Sequence, residues 1–170
     1  MTTISKRLSL PGNARWINTT IYYLSFVLLG MGGAVVGPLL VDLAAQVNVE
    51  LSQLSVIFTT SSLGYFGGST FGGRLFDKHP AHRLMAIVLI FSAGVTALVP
   101  LTARLWLLSG LFFVSSLASG AVDVGGNTLL VWVHRDKVGP FMNGLHFAYG
   151  VGATISPLLI VPIKRLSGGF

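Results

Sequence analysis

Residues Leu105–Val133 read LWLLSGLFFVSSLASGAVDVGGNTLLVWV, a continuous apolar stretch with one formally charged residue, Asp123. Trp106 and Trp132 stand near its two ends, where membrane helices carry interfacial aromatic residues. At about 1.5 Å of rise per residue, a helix would separate the two tryptophans by about 39 Å. That length crosses the ~30 Å hydrocarbon core of a bilayer. The stretch therefore predicts a transmembrane helix.

Other stretches of similar length and composition lie on both sides of this one. Nearly all the remaining charged side chains fall in short clusters between them. We therefore expect an all-α polytopic membrane protein. In it, residues 1–16 form a cytoplasmic N-terminus, residues 17–163 form the membrane domain, and residues 164–170 begin an outer loop that is cut short. The five transmembrane helices are predicted at residues 17–41, 51–73, 84–103, 105–133 and 141–163.

Composition excludes several classes of protein. Apolar residues make up 52% of the chain and charged residues only 9%, whereas a soluble domain carries about 25% charged residues. A soluble enzyme or a disordered tail is therefore not expected. Because the chain has no cysteine, disulfide frameworks and thiol nucleophiles are excluded. No catalytic residue, metal site or cofactor is predicted.

The net charge of +6 indicates membrane topology rather than a nucleic-acid partner. With the N-terminus in the cytoplasm, the clusters before the first helix, between the second and third, and between the fourth and fifth lie inside. Those clusters hold most of the lysines and arginines, as the positive-inside rule requires. We expect an integral protein of the plasma (inner) membrane, with the lipid bilayer as a partner.

Glycines recur at helical spacing in the first two predicted helices. Gly64, Gly68 and Gly72 follow one another at four-residue intervals in the second helix. Small residues at this spacing let helix backbones approach closely in lipid, so we expect tight packing there. In the first helix, Gly37 precedes Pro38, which predicts a kink because proline cannot donate a backbone hydrogen bond.

Asp123 is the charged residue that the topology leaves inside the membrane. A carboxylate at such depth costs about 2.5–3.5 kcal/mol on insertion scales and marks a functional site by default. Ser116, Gly120 and Asn127 share its helical face at intervals of three and four residues. We therefore predict Asp123 as a cation-coupling residue and Asn127 as a substrate-binding residue.

The fifth predicted helix carries a second polar stripe. Asn143, His146, Gly150 and Thr154 share one of its faces, again at intervals of three and four residues. We predict that this stripe faces Asp123 across a water-filled cavity, with Asn143 and His146 also binding substrate. The alternative is that an Asp–Asn–His network only holds two helices together, as polar groups between membrane helices do.

The segment Gly73–Arg83 reads GRLFDKHPAHR and resembles the loop signature of the major facilitator superfamily. Gly73, Asp77, Lys78 and Arg83 match that signature, while Pro80 replaces its second glycine. The resemblance implies a twelve-helix transporter of which this chain is an N-terminal portion. Its five helices would belong to the N-terminal six-helix bundle. The resemblance also implies that the four matching residues form a cytoplasmic gating loop.

A second resemblance narrows the branch. Asp123-Val124-Gly125-Gly126-Asn127 is similar to a fourth-helix motif of the branch that contains L-fucose permease and the sodium-dependent glucose transporter-like proteins. In that branch the acid takes part in cation-coupled sugar transport. Asn143-Gly144-Leu145-His146-Phe147 is similar to the fifth helix of the glucose-transporter-like members.

These observations predict a secondary active transporter, which moves a sugar or similar small polar solute with protons or sodium by alternating access. The expected partners are the solute, the cation and either the missing C-terminal half or another subunit. One alternative is a membrane assembly or regulatory fragment that does not transport. A less favoured one is an intramembrane hydrolase that uses Ser116 or Ser119 as nucleophile and His146 as base.

Overall fold

The computed structural model describes residues 12–166, and every regular element in that range is helical. Two 3₁₀ turns, Val99–Leu101 and Arg135–Lys137, connect the longer helices. The α-helices are α1 (Gly12–Ala34), α2 (Val36–Gln46), α3 (Leu51–Leu54), α4 (Val56–Lys78), α5 (Ala81–Leu98), α6 (Leu105–His134) and α7 (Val138–Leu166).

Length and composition confirm an all-α membrane protein. Three helical stretches are apolar enough to cross a bilayer, namely Asn13–Ala34, Ala81–Leu101 and Leu105–Lys164. The third is 60 residues long and contains both α6 and α7, which is enough for two crossings. Large apolar side chains are exposed along all the long helices, an arrangement that suits lipid and not water. The predicted segment boundaries remain predictions.

Helix α4 is less apolar than the others because glycine, serine and threonine occupy much of it. Its 23 residues nevertheless make a helix about 35 Å long, which exceeds the hydrocarbon thickness. The helix continues through Lys78, so the non-helical part of the predicted loop shrinks to His79 and Pro80. Lys78 lies in the last turn of α4, where its positive charge interacts favourably with the helix dipole. The helix therefore extends beyond the apolar segment into these polar residues.

The first predicted span is divided at Val35 into α1 and α2, although Val35 keeps helical dihedral angles and its N–H bonds to the carbonyl of Met31 at 3.0 Å. The predicted kink stays a prediction. Pro38 lacks the N–H that would bond to the carbonyl of Ala34 four residues earlier, which loosens the helix at that turn. At the far end of α2, the Gln46 side-chain amide donates to the carbonyls of Val99 and Thr102 at 2.8 and 2.7 Å. This contact ties α2 to the end of α5.

Helix α6 is the central element, since it contacts α1, α4, α5 and α7. Its closest neighbour is α4, and the predicted glycine packing explains why. A Cβ atom at Gly64 would lie 3.0 Å from the carbonyl carbon of Phe113, and one at Gly68 would lie 2.8 Å from that of Leu117. Gly72 meets Ala121 in the same way, at 2.9 Å. Only glycine allows the two backbones to approach this closely.

The second tight pair joins α1 to α7. A Cβ atom at Gly30 would lie 2.9 Å from the backbone nitrogen of Ala153, and one at Gly152 would lie 2.7 Å from the carbonyl carbon of Val27. Gly37 meets nothing within 4 Å, so its absent side chain serves no packing contact within the described residues. The bundle therefore consists of two glycine-packed helix pairs, with α5 lying against α6.

Candidate functional site

Asp123 lies on α6 with both carboxylate oxygens hydrogen-bonded. The side-chain amide of Asn127 donates to Oδ1 of Asp123 at 3.0 Å and to its backbone carbonyl at 2.8 Å. These bonds join neighbouring turns of one helix, as the four-residue spacing predicted. Asn127 therefore orients one edge of the carboxylate.

The other carboxylate oxygen, Oδ2, accepts a hydrogen bond from the phenolic hydroxyl of Tyr65 on α4. Tyr65 can contact Asp123 because α4 and α6 pack closely here. A Cβ atom at Gly120 of α6 would lie only 2.8 Å from the backbone nitrogen of Ser69 on α4. Sequence reasoning missed Tyr65. Its only signal is a polar aromatic residue between Gly64 and Gly68, and that pattern does not say which helix it faces.

The double glycine beside Asp123 has a packing explanation. A Cβ atom at Gly126 would lie 3.2 Å from Cζ of Phe26, and one at Gly125 would lie 2.8 Å from Cε1 of Phe76. Both rings are 1% exposed. The two glycines therefore let the aromatic rings of Phe26 and Phe76 pack against α6 within one turn of Asp123. This packing holds that segment of α6 in place.

A shallow, open groove of about 450 Å³ lies on the surface beside Tyr65, and four of its six lining residues are serines. The Ser62 and Ser69 hydroxyls donate to backbone carbonyls of α4 at 2.8 and 3.1 Å, which leaves their oxygens free to accept. We call this surface the serine groove. Its lining residues are Ser61, Ser62, Tyr65, Phe66, Ser69 and Ser116.

The predicted substrate residues of the fifth span lie on α7, and both are exposed. His146 packs edge-on against Phe26, with 6.2 Å between ring centroids, so Phe26 lies between His146 and Gly126. No hydrogen bond within residues 12–166 joins Asn143 or His146 to Asp123 or Asn127. The convergence of the two polar stripes on one cavity therefore stays a prediction.

Tyr149 lies on α7 and is 39% exposed. A Cβ atom at Gly33 of α1 would lie 3.2 Å from its hydroxyl oxygen. Sequence reasoning did not single it out.

The predicted gating residues gather where α4 and α5 meet. Gly73 would place a Cβ atom 3.6 Å from Val124 on α6, which is ordinary contact. Asp77, Lys78 and Arg83 are exposed, and no ion pair joins them within the described part of the chain. Their gating role stays a prediction.

The hydrolase alternative finds no support in the geometry. The hydroxyl of Ser119 donates to the backbone carbonyl of Ser115 at 3.0 Å. His146 contacts Phe26 instead of a serine. Within the described helices, no hydrogen bond links His146 to Ser116 or Ser119, as a nucleophile and its base would require.

Comparison with known proteins agrees with the geometry. The sequence pattern of the Major Facilitator Superfamily matches residues 22–161. Sodium-dependent glucose transporter 1 of Rattus norvegicus is 37% identical over 145 residues, which cover 85% of this chain and 30% of the rat protein. The Homo sapiens protein of the same name is 38% identical over 135 residues, which cover 79% of this chain and 26% of the human one.

A third relative, major facilitator superfamily domain-containing protein 4A of Danio rerio, is 31% identical over 161 residues, covering 94% of this chain and 30% of the relative. The chain thus spans about a third of these relatives or less. No solved structure matches it. The predicted resemblance to the glucose-transporter-like branch is confirmed. The chain belongs to the major facilitator superfamily, a family of membrane transporters rather than enzymes.

Proposed function

We propose that this chain forms the cation- and solute-binding part of a secondary active transporter, which carries a sugar or similar small polar solute by alternating access. The observation that carries the proposal is the position of Asp123. It lies within a long apolar helix, it is oriented by two neutral donors, and the serine groove runs beside it.

The charge of Asp123 is the first supporting argument. Its two oxygens accept hydrogen bonds from Asn127 and Tyr65, and neither donor carries a charge. Among the described residues, no lysine, arginine or histidine forms an ion pair with this carboxylate. A charge at this depth is expensive unless it is balanced. A bound sodium ion or proton supplies that balance, and this is what a coupling residue does.

The solute class follows from the groups around the carboxylate. Serine and tyrosine hydroxyls and the Asn127 amide can both donate and accept hydrogen bonds, which matches a molecule rich in hydroxyl groups. The names of the relatives mention sodium and glucose. We therefore propose a sugar as solute, sodium or a proton as the coupled cation, and Asn143 and His146 as further solute contacts from α7.

The remaining expectations belong to the same proposal. Alternating access requires two halves that rock about a central site, so the partner of this bundle is a C-terminal half or another subunit. Gly73, Asp77, Lys78 and Arg83 would brace the cytoplasmic gate. The N-terminus would lie in the cytoplasm and the bundle in the plasma membrane.

The experiment measures binding of tritiated D-glucose to the chain held in lipid nanodiscs, with and without sodium at constant ionic strength and at several pH values. We expect sodium or acidification to raise glucose affinity by about 5- to 150-fold, the usual range of coupling between two sites. Asp123→Asn should remove that dependence. Asp136→Asn, which removes an exposed carboxylate from the α6–α7 connection, is the matched control and should keep it.

Two results would contradict the proposal. If Asp123→Asn responds to sodium and pH as the unaltered chain does, Asp123 is not the coupling residue. If the unaltered chain binds no glucose under any condition while its helix content is intact, the assembly or regulatory alternative becomes the better explanation.

A further inference from the structure

Tyr65 belongs to two features of the structure at once. Its hydroxyl donates to Oδ2 of Asp123, and its side chain also lines the serine groove. The residue is 40% exposed, so a molecule in the groove can reach it. In the described part of the chain, no other residue both lines the groove and bonds to Asp123.

We propose that Tyr65 is the positioning residue that couples solute in the serine groove to the cation at Asp123. The inference rests on the proposed function and adds how the two ligands influence each other. The coupling arises because Asp123 and the solute compete for the hydroxyl proton of Tyr65, and a phenol has a single O–H donor. Tyr65 can donate to Oδ2 of Asp123 or to a solute oxygen, but not fully to both.

The consequence for Asp123 follows from its partners. When a solute hydroxyl takes the Tyr65 proton, Oδ2 loses its donor while Asn127 still holds Oδ1. Asp123 is only partly buried, but a carboxylate oxygen that loses its donor inside the bundle is still less favourable, and a cation at Oδ2 compensates for the loss. Solute binding therefore favours cation binding, and linkage requires that the cation favour the solute by the same factor.

The surrounding structure suits this exchange. The backbone beside Tyr65 is fixed, since the α4–α6 contact leaves no room for a Cβ atom at Gly120 or Gly68. The aromatic side chain itself is only partly covered, so its hydroxyl can turn between the carboxylate and the groove. Within residues 12–166, Asp123 accepts side-chain hydrogen bonds from Tyr65 and Asn127 only.

The test compares the unaltered chain with Tyr65→Phe, which removes the hydroxyl and keeps the ring. Tritiated D-glucose binding is titrated in nanodiscs at a series of sodium concentrations and, without sodium, at a series of pH values. The coupling factor is the ratio of glucose affinities with and without the effective cation, either high against zero sodium or low against high pH. We expect a factor of about 5 to 150 for the unaltered chain, and about 1 for Tyr65→Phe. A role limited to stability would lower both affinities and leave their ratio unchanged.

Tyr23→Phe is the matched control. It removes the same atom and also loses one hydrogen bond, from the Tyr23 hydroxyl to the carbonyl of Phe141 at 2.9 Å, but it does not touch Asp123. Its coupling factor should match that of the unaltered chain. Circular dichroism and thermal unfolding report whether either variant is folded. Ser116→Ala, as a second groove variant, should weaken glucose binding and keep the coupling factor.

The outcomes are distinct. If Tyr65→Phe retains the coupling factor while Asp123→Asn loses it, the inference is overturned and the proposed function stands. If the unaltered chain binds glucose without any effect of sodium or of pH, no cation is coupled to the solute, and both the inference and the cation coupling of the proposed function are overturned. If the chain binds no glucose at all, both are overturned.

Discussion

The contact between α4 and α6 holds Tyr65 against Asp123, and replacement of Gly68 by alanine tests it directly. The added Cβ atom would lie 2.8 Å from the carbonyl carbon and 3.0 Å from the Cα of Leu117. It would also overlap the carbonyl oxygen of Leu117, which lies closer still. Because carbon atoms in contact normally lie about 3.5–4.0 Å apart, the helices must separate by at least about 1 Å. The obstacle is backbone on both sides, and no flexible side chain can move away.

The expected free-energy change combines three effects. Overpacking of a well-packed interior costs about 1–3 kcal/mol, and we expect the upper end because neither backbone can yield. Separation also weakens the hydrogen bond from Tyr65 to the Asp123 carboxylate, a type of bond that contributes about 1.5–3 kcal/mol. Alanine recovers up to about 1 kcal/mol through its higher helix propensity. The net destabilisation of Gly68→Ala is therefore about 2 kcal/mol if the hydrogen bond survives and about 3.5–5 kcal/mol if it is lost.

Gly67→Ala is the matched control, because a Cβ atom at this neighbouring position meets nothing within 4 Å. It gains the same helix propensity without the clash, so its free energy of unfolding should equal or exceed that of the unaltered chain. Reversible unfolding in mixed micelles, followed by circular dichroism, measures both variants. If their unfolding free energies agree within about 0.5 kcal/mol, close backbone approach does not hold α4 to α6, and the reasoning fails.

Two further predictions concern the α1–α7 pair and its continuation into α2. In the same unfolding assay, Gly152→Ala should destabilise the chain by about 1–3 kcal/mol, because its Cβ atom would lie 2.7 Å from the carbonyl carbon of Val27. Gly150→Ala, which meets nothing within 4 Å, should not, and equal effects would refute the pairing. Lys164 forms an ion pair with Asp42 across α7 and α2. A double-mutant cycle of Lys164→Met with Asp42→Asn should give about 0.5–1 kcal/mol of coupling, because both side chains are partly exposed; additive effects would show that the pair contributes nothing.

Much of the candidate site can be predicted from sequence because its evidence is local. Asp123 stands out against an apolar background, and the four-residue interval to Asn127 places the two on neighbouring turns of any helix. The hydrogen bonds between them confirm that prediction. Tyr65 could not be predicted, since its partner is 58 positions away in sequence and only the pairing of α4 with α6 brings the two together.

The contacts of the fifth predicted span also could not be predicted from sequence. Its polar stripe, with Asn143 and His146, is correctly expected on one helical face, but helical periodicity does not say what that face meets. Helix α7 packs against α1 because Gly152 lets its backbone approach Val27 of α1 closely. His146 consequently packs on Phe26 rather than bonding directly to the Asp123 pair.

The amino-acid sequence is enough to predict the membrane environment, the helical class, the family and the unusual position of Asp123 in an apolar segment. Each of these follows from hydropathy, charge and short motifs, which are properties of one segment at a time. The folded structure is needed to show that α4 pairs with α6, that α1 pairs with α7, and that Tyr65 bonds to Asp123. Helices in lipid associate through close contact between two complementary surfaces, and the sequence of one helix does not specify which other helix is complementary to it.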